Sequence, residues 1–205
     1  MTGLIMPWSV GMLSGGGAAA ELVVGGQDNS AGDTISWTGI ALNDTASAGD
    51  VIVVVINAFD GDVAASATLS ASGWTIVQTS RTLSSTTRFG SVIWKSASGG
   101  ETTVDVSGSL SFSGSFNVVA GQVFLLKGVS ATALDSDSGV GSVTLDTSGA
   151  AFVVGAAENA GSITGGGSVT KIDTTTADAW YDVAPLGGAS DTYTASGAMA
   201  AAAWG

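Results

Sequence analysis

Two pairs of aspartates, each pair separated by one residue, are the first side chains in this chain whose spacing suits chemistry. Asp60 and Asp62 lie in "FDGD", and Asp135 and Asp137 lie in "LDSDSG". Such carboxylates are typical of calcium loops, but calcium needs about six to eight oxygen ligands, and neither stretch matches the EF-hand pattern. Asp and Gly are also common turn residues. We therefore predict turns and no bound metal, with these four aspartates as the candidate calcium ligands.

Catalytic side chains are sparse in this sequence. It has no histidine and no cysteine, which excludes disulfides, imidazole or thiolate metal sites, and the usual base that activates a serine. A glycosidase needs two placed carboxylates, whereas Glu21, Glu101 and Glu158 lie far apart in the chain. Glu158, in "AAEN", is the best candidate for a partly buried acid, although an exposed strand end is the favoured interpretation. We predict a protein that is not an enzyme and has no cofactor.

Several tryptophans could form a platform on which a sugar ring stacks. Aromatic side chains in a sandwich lie in the core more often than on such a platform, so the core is the favoured location. Trp8 and Trp204, near the two ends, are expected to be the least constrained by strand packing. The candidates for the platform are Trp37, Trp74, Trp94 and Trp180.

Charge and hydropathy narrow the classes of partner. The formal net charge is −12, and the five basic residues are scattered singly. Nucleic-acid binding needs clustered Lys and Arg, and an anionic membrane surface repels an acidic protein. No apolar run approaches the ~20 residues of a membrane-spanning helix. We expect no nucleic acid and no membrane among the partners.

The first 25 residues differ in composition from the rest of the chain. "SGGGAAA" is typical of a flexible hinge. Before this hinge lies a short apolar segment. We interpret it either as a frayed terminus or a strand that pairs back onto the body, or as an arm that anchors the protein to a partner subunit. The candidate anchoring residues are Leu4, Ile5, Met6, Trp8, Met12 and Leu13.

Strand patterns recur through residues 26–205 at the spacing expected of sandwiches. "DTISWTGIAL" alternates and places Ile35, Trp37, Gly39 and Ala41 on one face, whereas "VIVVVINAF" is apolar on both faces and is predicted to be a central strand. Val, Ile and Thr favour strands, and clusters of Gly, Ser and Asp favour turns. The predicted fold is an all-β antiparallel sandwich, jelly-roll-like, preceded by the N-terminal arm.

The order of about five strands starts again after the stretch 130–141, which we interpret as a linker. "GAAFVVGAAEN" matches "GDVIVVVINAF", "SVTKIDTT" matches "GWTIVQTS", and "DAWYDVAPLGG" matches "SVIWKSASGG". "SDTYTASG" then matches "ETTVDVSG", and the final "AMAAAAWG" matches "AGQVFLLKG". We therefore predict an internal duplication with pseudo-repeats at about 33–129 and 142–205. The alanine-rich end becomes a strand at a closing edge or seam, despite the helix propensity of Ala.

The succession "GDVIVVVINAFDGD", "SGWTIVQTSR", "FGSVIWKSASGGETTVDVSGS" and "VVAGQVFLLKGV" resembles a β-sandwich domain that recurs in tailed-phage virion proteins and some secreted bacterial proteins. The matching marks are Gly-Asp at 49–50, Ser-Gly-Trp-Thr at 72–75, Trp-Lys at 94–95 and Gly-Val at 128–129. The resemblance covers about residues 30–205. It implies a sandwich fold and a virion or surface location, and it carries no catalytic residue.

These features favour a non-enzymatic structural protein of a tailed-phage virion, either decorating the capsid or forming part of the tail. The N-terminal arm would anchor it to other virion proteins, and a homo-oligomer is expected. The alternative is a host-surface glycan-binding or adhesin module of a tail fibre or secreted protein, which would use loops and exposed tryptophans. A hydrolase is the least favoured function.

Overall fold

The computed structural model describes residues 19–61, 66–82, 87–111, 114–158, 160–173 and 178–205. These residues form antiparallel strands and one short 3-10 helix, Ala160–Ser162. The first half of the chain contains β1 (Glu21–Ser30), β2 (Thr34–Ala41), β3 (Val51–Gly61), β4 (Thr68–Ser70), β5 (Thr75–Thr82), β6 (Thr87–Ser96), β7 (Thr103–Ser111) and β8 (Val118–Lys127). The second half contains β9 (Asp135–Leu145), β10 (Phe152–Ala157), β11 (Thr164–Gly165), β12 (Val169–Asp173), β13 (Asp178–Asp182) and β14 (Asp191–Trp204).

The first half is a two-layered sandwich. One sheet has the strand order β1-β8-β3-β6-β5, and the other has the order β2-β7-β4. The first strand of this half therefore pairs with its last, and the second pairs with the next to last, as is typical of jelly rolls. The predicted all-β antiparallel sandwich is confirmed.

The second half repeats this pairing with fewer strands, of which β9 and β14 are the long ones. Its strands run in the order β9-β14-β10-β13-β12, and β11 pairs with the first part of β14. β9 takes the places of both β1 and β2, and β14 takes those of β7 and β8. The register of β14 against β9 shifts between Thr194 and Ala198, where Gly197 has φ +99°. The pairing thus follows the repeated strand order that the sequence predicts.

Three apolar cores stack through the molecule. The first core lies between the two sheets of the first half, and the third core lies inside the second half. The middle core joins the two halves, which pack face to face. Each half also encloses a core of its own. The middle core contains Val51, Val53, Val55, Val92, Trp94, Phe124 and Leu126 from the first half and Phe152, Val154, Ala156, Ala179, Ala200, Ala202 and Trp204 from the second.

Strand β3 lies at the centre of this stack, as its two apolar faces predict. Ile52, Val54 and Ile56 face the first core, and Val53 and Val55 face the middle core. Successive side chains of a strand point to opposite faces, and residues 51–56, buried on both faces, are all apolar. The buried Asn57 that follows donates a hydrogen bond to the carbonyl of Asp178 at 2.7 Å. Its neighbours β8 and β6 cover its two edges.

The alternation predicted for β2 is wrong after Trp37. The pairing of β2 with β7 shifts between Trp37 and Ile40, and Gly39 there has φ +68°. This bulge adds one residue and reverses the faces that follow. Ile40 and Leu42 are therefore buried with Trp37, whereas Gly39 is exposed on the other face. Ala41, predicted to lie with Trp37, is also exposed.

The alanine-rich end is a strand, as predicted, but it does not form an edge. The C-terminal part of β14 lies between β9 and β10. Ala200 and Ala202 face the middle core, and Ala201 and Ala203 face the third core. Small side chains on both faces let the flanking layers approach closely. β14 is thus a seam between two cores.

Two predicted boundaries differ from the structure. The predicted linker 130–141 is wrong in its second part, because β9 begins at Asp135. β1 begins at Glu21, inside the segment 1–25 that composition set apart.

The outward faces of the sheet β2-β7-β4 and of strands β9, β11 and β14 carry hydroxyl groups. On β2, β4 and β7 every exposed residue is Ser or Thr except Gly39, Ala41 and Asp105. Thr192 and Thr194 of β14 share hydroxyl hydrogen bonds with Thr144 (3.0 Å) and Thr164 (2.7 Å). These faces are almost uncharged and well solvated, so they contribute little apolar surface for association.

Candidate functional site

A groove of about 350 Å³ opens where the two halves meet. Thr75 of β5 and Trp94 of β6 form its wall in the first half. The other wall is the connection that leads into β9. This position exists only because the connection between the halves runs past the β5–β6 side of the first sheet. The groove residues of the connection and of β9 are Ala131, Thr132, Ala133, Leu134, Asp135 and Ser136.

Trp94 is the aromatic residue of the groove and is held rigidly. It is 7% exposed, and its ring meets Trp204 edge to face, with centroids 5.5 Å apart and planes at 89°. Most of the Trp94 ring therefore serves the middle core. The remainder gives the groove a fixed apolar wall.

Besides Trp94 and the apolar Ala131, Ala133 and Leu134, four polar side chains line the groove. Thr75, Thr132 and Ser136 are exposed, and their hydroxyls make no side-chain hydrogen bond with the part of the chain that the structure describes. Asp135 accepts hydrogen bonds from the amides of Ser136 and Asp146, both at 2.8 Å. No Lys or Arg lines the groove. The groove thus offers free hydroxyls beside one carboxylate that is already partly satisfied.

The candidate calcium ligands Asp135 and Asp137 lie in strand β9 and not in a turn, so the turn predicted there is wrong, and both side chains bind backbone amides. Asp137 accepts hydrogen bonds from the amides of Ser138 and Thr144, both at 2.8 Å. Together with Asp135, it satisfies amides on the outer edge of β9, which pairs with β14 only on its other edge. Within the described ranges, no group of three or more acidic residues could hold a metal ion. The side chains of Asp60 and Asp62 lie outside the described residues.

Glu158 is partly buried, so its interpretation as an exposed strand end is wrong. Its side chain is 15% exposed and lies 3.4 Å from Arg81 Nη1 and 3.8 Å from Arg88 Nε. Glu158 Oε2 also accepts a hydrogen bond from the amide of Ala198 at 3.1 Å. Because the arginines belong to the first half and Glu158 to the second, this cluster joins the halves beside the middle core.

Asp182 is a fully buried carboxylate that the sequence analysis did not single out. It accepts backbone hydrogen bonds from Gly167, Ser168 and Ala184 at 2.8–2.9 Å, and one from the hydroxyl of Tyr193 at 3.1 Å. Burial, followed by the charge of Asp182, raises the pKa of Tyr193. The carboxylate therefore fixes the turn before β12, and its partners lie too far away in sequence to form a motif.

A second buried acid is used in the same way. Asp191 accepts a hydrogen bond from the hydroxyl of Thr147, which in turn accepts the amide of Gly187 at 3.1 Å. The Thr147 amide also donates to the carbonyl of Gly188 at 2.9 Å. These bonds hold the chain before β14 against the turn after β9.

The candidate platform tryptophans are mostly core residues, which confirms the core location that we favoured over a sugar-binding platform. Trp37 and Trp180 are buried, and Trp74 is partly buried with Lys95 Nζ 4.6 Å from its ring centroid. The expectation that Trp204 is unconstrained is wrong, because its side chain is fully buried. These residues do not form a shared exposed platform.

The six candidate anchoring residues, Trp8 among them, lie outside the described residues. Among the residues that the structure does describe, none belongs to a helix long and apolar enough to cross a bilayer.

Comparison with protein-family models, with curated proteins and with solved structures finds no match. The fold and the contacts of this chain therefore carry the functional argument alone.

Proposed function

We propose that this protein is a non-enzymatic structural component of a tailed-phage virion, in the capsid decoration or the tail. Its N-terminal segment, Leu4 to Leu13, anchors it to a neighbouring virion subunit, and the sandwich projects outward. A homo-oligomer on a particle displays many copies, which multiplies weak contacts with a surface.

The observation that carries this proposal is the use of the partly and fully buried acids. Asp182 binds three amides and a tyrosine, Asp191 binds Thr147, and Glu158 lies between two arginines. A catalytic acid needs a carboxyl group that can exchange a proton with a substrate, whereas each of these groups holds parts of the fold together. This pattern is expected of a protein whose task is mechanical.

The shape of the fold supports the same role. Three cores in series and two halves joined by apolar and ionic contacts make one stiff stack. The largely uncharged hydroxyl faces keep neighbouring copies soluble without forming large apolar patches. Assembly would then depend on the apolar N-terminal segment, since it holds the densest group of apolar residues outside the described strands.

Deletion of residues 1–20 tests the anchoring role. Particles are produced with the full chain or the deletion variant, purified on a density gradient, and quantified for this protein by mass spectrometry. We expect the variant to be lost from particles while its circular dichroism and melting temperature stay those of the full chain. A second variant replaces Leu4, Ile5 and Trp8 with serine, which keeps the length of the segment, and it should likewise be lost from particles.

Two results would contradict the proposal. Undiminished incorporation of both variants would remove the anchoring role. Failure to find the full chain in purified particles would remove the virion role itself.

The alternative function, a host-surface glycan-binding module, loses its predicted tryptophan platform because those side chains are mainly buried. A glycan would need another site on this molecule.

A further inference from the structure

We propose that the groove between the halves binds a single neutral sugar unit, such as a terminal residue of a host-surface glycan. This inference rests on the groove alone and does not depend on the virion role.

The size and position of the groove suit a small ligand. Its volume of about 350 Å³ lies at the lower end of the range found for ligand pockets. Such pockets form preferentially at interfaces between domains, and this groove lies at the junction of two sandwich halves. One wall belongs to packed strands, and the other is tied to the end of the chain by the amides of Ser130 and Leu134, which donate to the carbonyls of Gly205 and Ala203 at 2.8 Å, so the groove is formed before any ligand arrives.

The hydrogen-bonding groups match those of a sugar. Thr75, Thr132 and Ser136 expose hydroxyls with no side-chain partner among the described residues. A hydroxyl group both donates and accepts, as do the hydroxyls of a sugar. Three such groups around one groove can pair with a polyol in several orientations without leaving a buried group unsatisfied.

Charge restricts the ligand to a neutral one. No basic side chain lines the groove, and the carboxylate of Asp135 lies there in a chain of net charge −12. These charges repel uronic and sialic acids. The two amides bound to Asp135 already compensate part of its charge, so the carboxylate favours a sugar hydroxyl as donor over a free cation.

Trp94 is only 7% exposed and supplies a small apolar surface against which the C–H face of a sugar ring can pack. Its contact with Trp204 fixes the ring, so binding does not have to order it. The exposed portion is small, and the hydroxyls must provide most of the specificity. A few neutral hydrogen bonds in an open groove correspond to a Kd on the order of millimolar. Many copies on one surface would raise the avidity.

The test is a titration of the isotope-labelled full chain, followed by backbone amide NMR. The probes are the methyl glycosides of glucose, galactose, mannose and N-acetylglucosamine. At least one should shift the amides of residues 131–136 and of Thr75 in a saturable way. Ser136→Val and Thr132→Val should each weaken that binding about 2- to 10-fold, the range for one net hydrogen bond.

Thr144→Val is the matched control, because Thr144 is exposed on the same strand as Ser136 but lies outside the groove. It should leave the affinity unchanged, and the amide spectrum of each variant reports whether its fold is intact. Shifts that map elsewhere, or no saturable shift up to about 100-fold above the expected Kd, would overturn the proposal. Binding of tetramethylammonium or methyl glucuronide in place of the neutral glycosides would overturn it as well.

Discussion

Trp94 and Trp204 meet edge to face across the contact between the halves, with ring centroids 5.5 Å apart and planes at 89°. Trp94 belongs to β6 and Trp204 to the end of β14, so they lie 110 positions apart in sequence. Trp204 is fully buried, and its Nε1 has no hydrogen-bond acceptor within the described part of the chain. This pair closes the middle core next to the groove, and an edge-to-face pair adds about 0.5–1.5 kcal/mol beyond the burial of its area.

Trp204→Ala should lower the free energy of unfolding by about 3–5 kcal/mol, because it removes a large fully buried ring and leaves a cavity. Trp204→Phe should cost less, since part of the ring contact with Trp94 survives. Urea denaturation followed by circular dichroism measures both. Equal stability of the alanine variant and the wild type would show that the middle core does not hold the halves together.

Gly155→Ala and Gly90→Ala should differ in effect although both replace a strand glycine. A Cβ at Gly155 would overlap atoms of the buried Trp180 ring, whereas a Cβ at Gly90 would meet Ala156 Cβ at an ordinary 3.5 Å. Overpacking costs about 1–3 kcal/mol, so Gly155→Ala should destabilise by that amount and Gly90→Ala by less than about 1. Thermal melting compares them, and similar losses would contradict the packing seen at Trp180.

Glu158→Gln should weaken the contact between the halves by about 1–2 kcal/mol, because it removes the partly buried negative charge that pairs with Arg81 and Arg88. In a double-mutant cycle with Arg81→Gln, the coupling should be only about 1 kcal/mol or less, since Arg81 is 37% exposed and screened by solvent. Added salt should reduce this coupling further. Zero coupling at low salt would contradict the ionic contact.

Tyr193 should keep its proton until the protein unfolds. Its pKa is raised, first by burial and then by the charge of Asp182, so the folded state binds a proton that the unfolded chain releases near pH 10.0. The buried Tyr193 hydroxyl therefore contributes its full stabilisation below about pH 10. This contribution should be lost as the pH rises from there through the raised pKa of the folded state. Ultraviolet titration should show one of the two tyrosines ionising only together with alkaline unfolding.

Tyr193→Phe is the control for this titration. The delayed ionisation should disappear. The free energy of unfolding at neutral pH should fall by about 1 kcal/mol, because the hydrogen bond from the Tyr193 hydroxyl is lost. The loss stays small because Asp182 keeps its three amide partners. Ionisation of both tyrosines well before unfolding would contradict the buried contact.

Asp137→Ala should destabilise by about 1 kcal/mol, because the amides of Ser138 and Thr144 lose their acceptor. Asp137→Asn keeps one carbonyl oxygen and should lose less. Since the carboxylate is used by the backbone, the melting temperature should be the same with calcium and with a chelator. A melting temperature that rises with calcium and depends on Asp137 would restore the metal interpretation.

The sequence predicted those features that depend on local pattern. The two apolar faces of "VIVVVINAF" required a strand covered on both sides, and the recurrence of similar segments implied the repeated order of strands. Even the alanine-rich end was predicted as a strand through its match to residues 120–128, against its own helix propensity. The alternation of apolar and polar side chains along a strand depends only on neighbouring residues, so the sequence alone is enough to predict it.

Features that depend on distant partners were missed or wrong. The bulge at Gly39 reversed the faces of Ile40 and Ala41, because it adds one residue to β2 where β2 pairs with the distant strand β7. Asp182 and Tyr193 meet only after the second half closes on its own core.

The sequence by itself determined an acidic all-β protein of repeated strands, with few groups suited to catalysis, because composition and alternation are local properties. Only the tertiary structure decided that each half encloses its own core and that Trp204 is buried against Trp94. The same folding places the free hydroxyls of Thr75 and Ser136 on one groove. Burial, ion pairing and groove shape are set by contacts between residues far apart in the chain, and those contacts exist only when the sheets have packed.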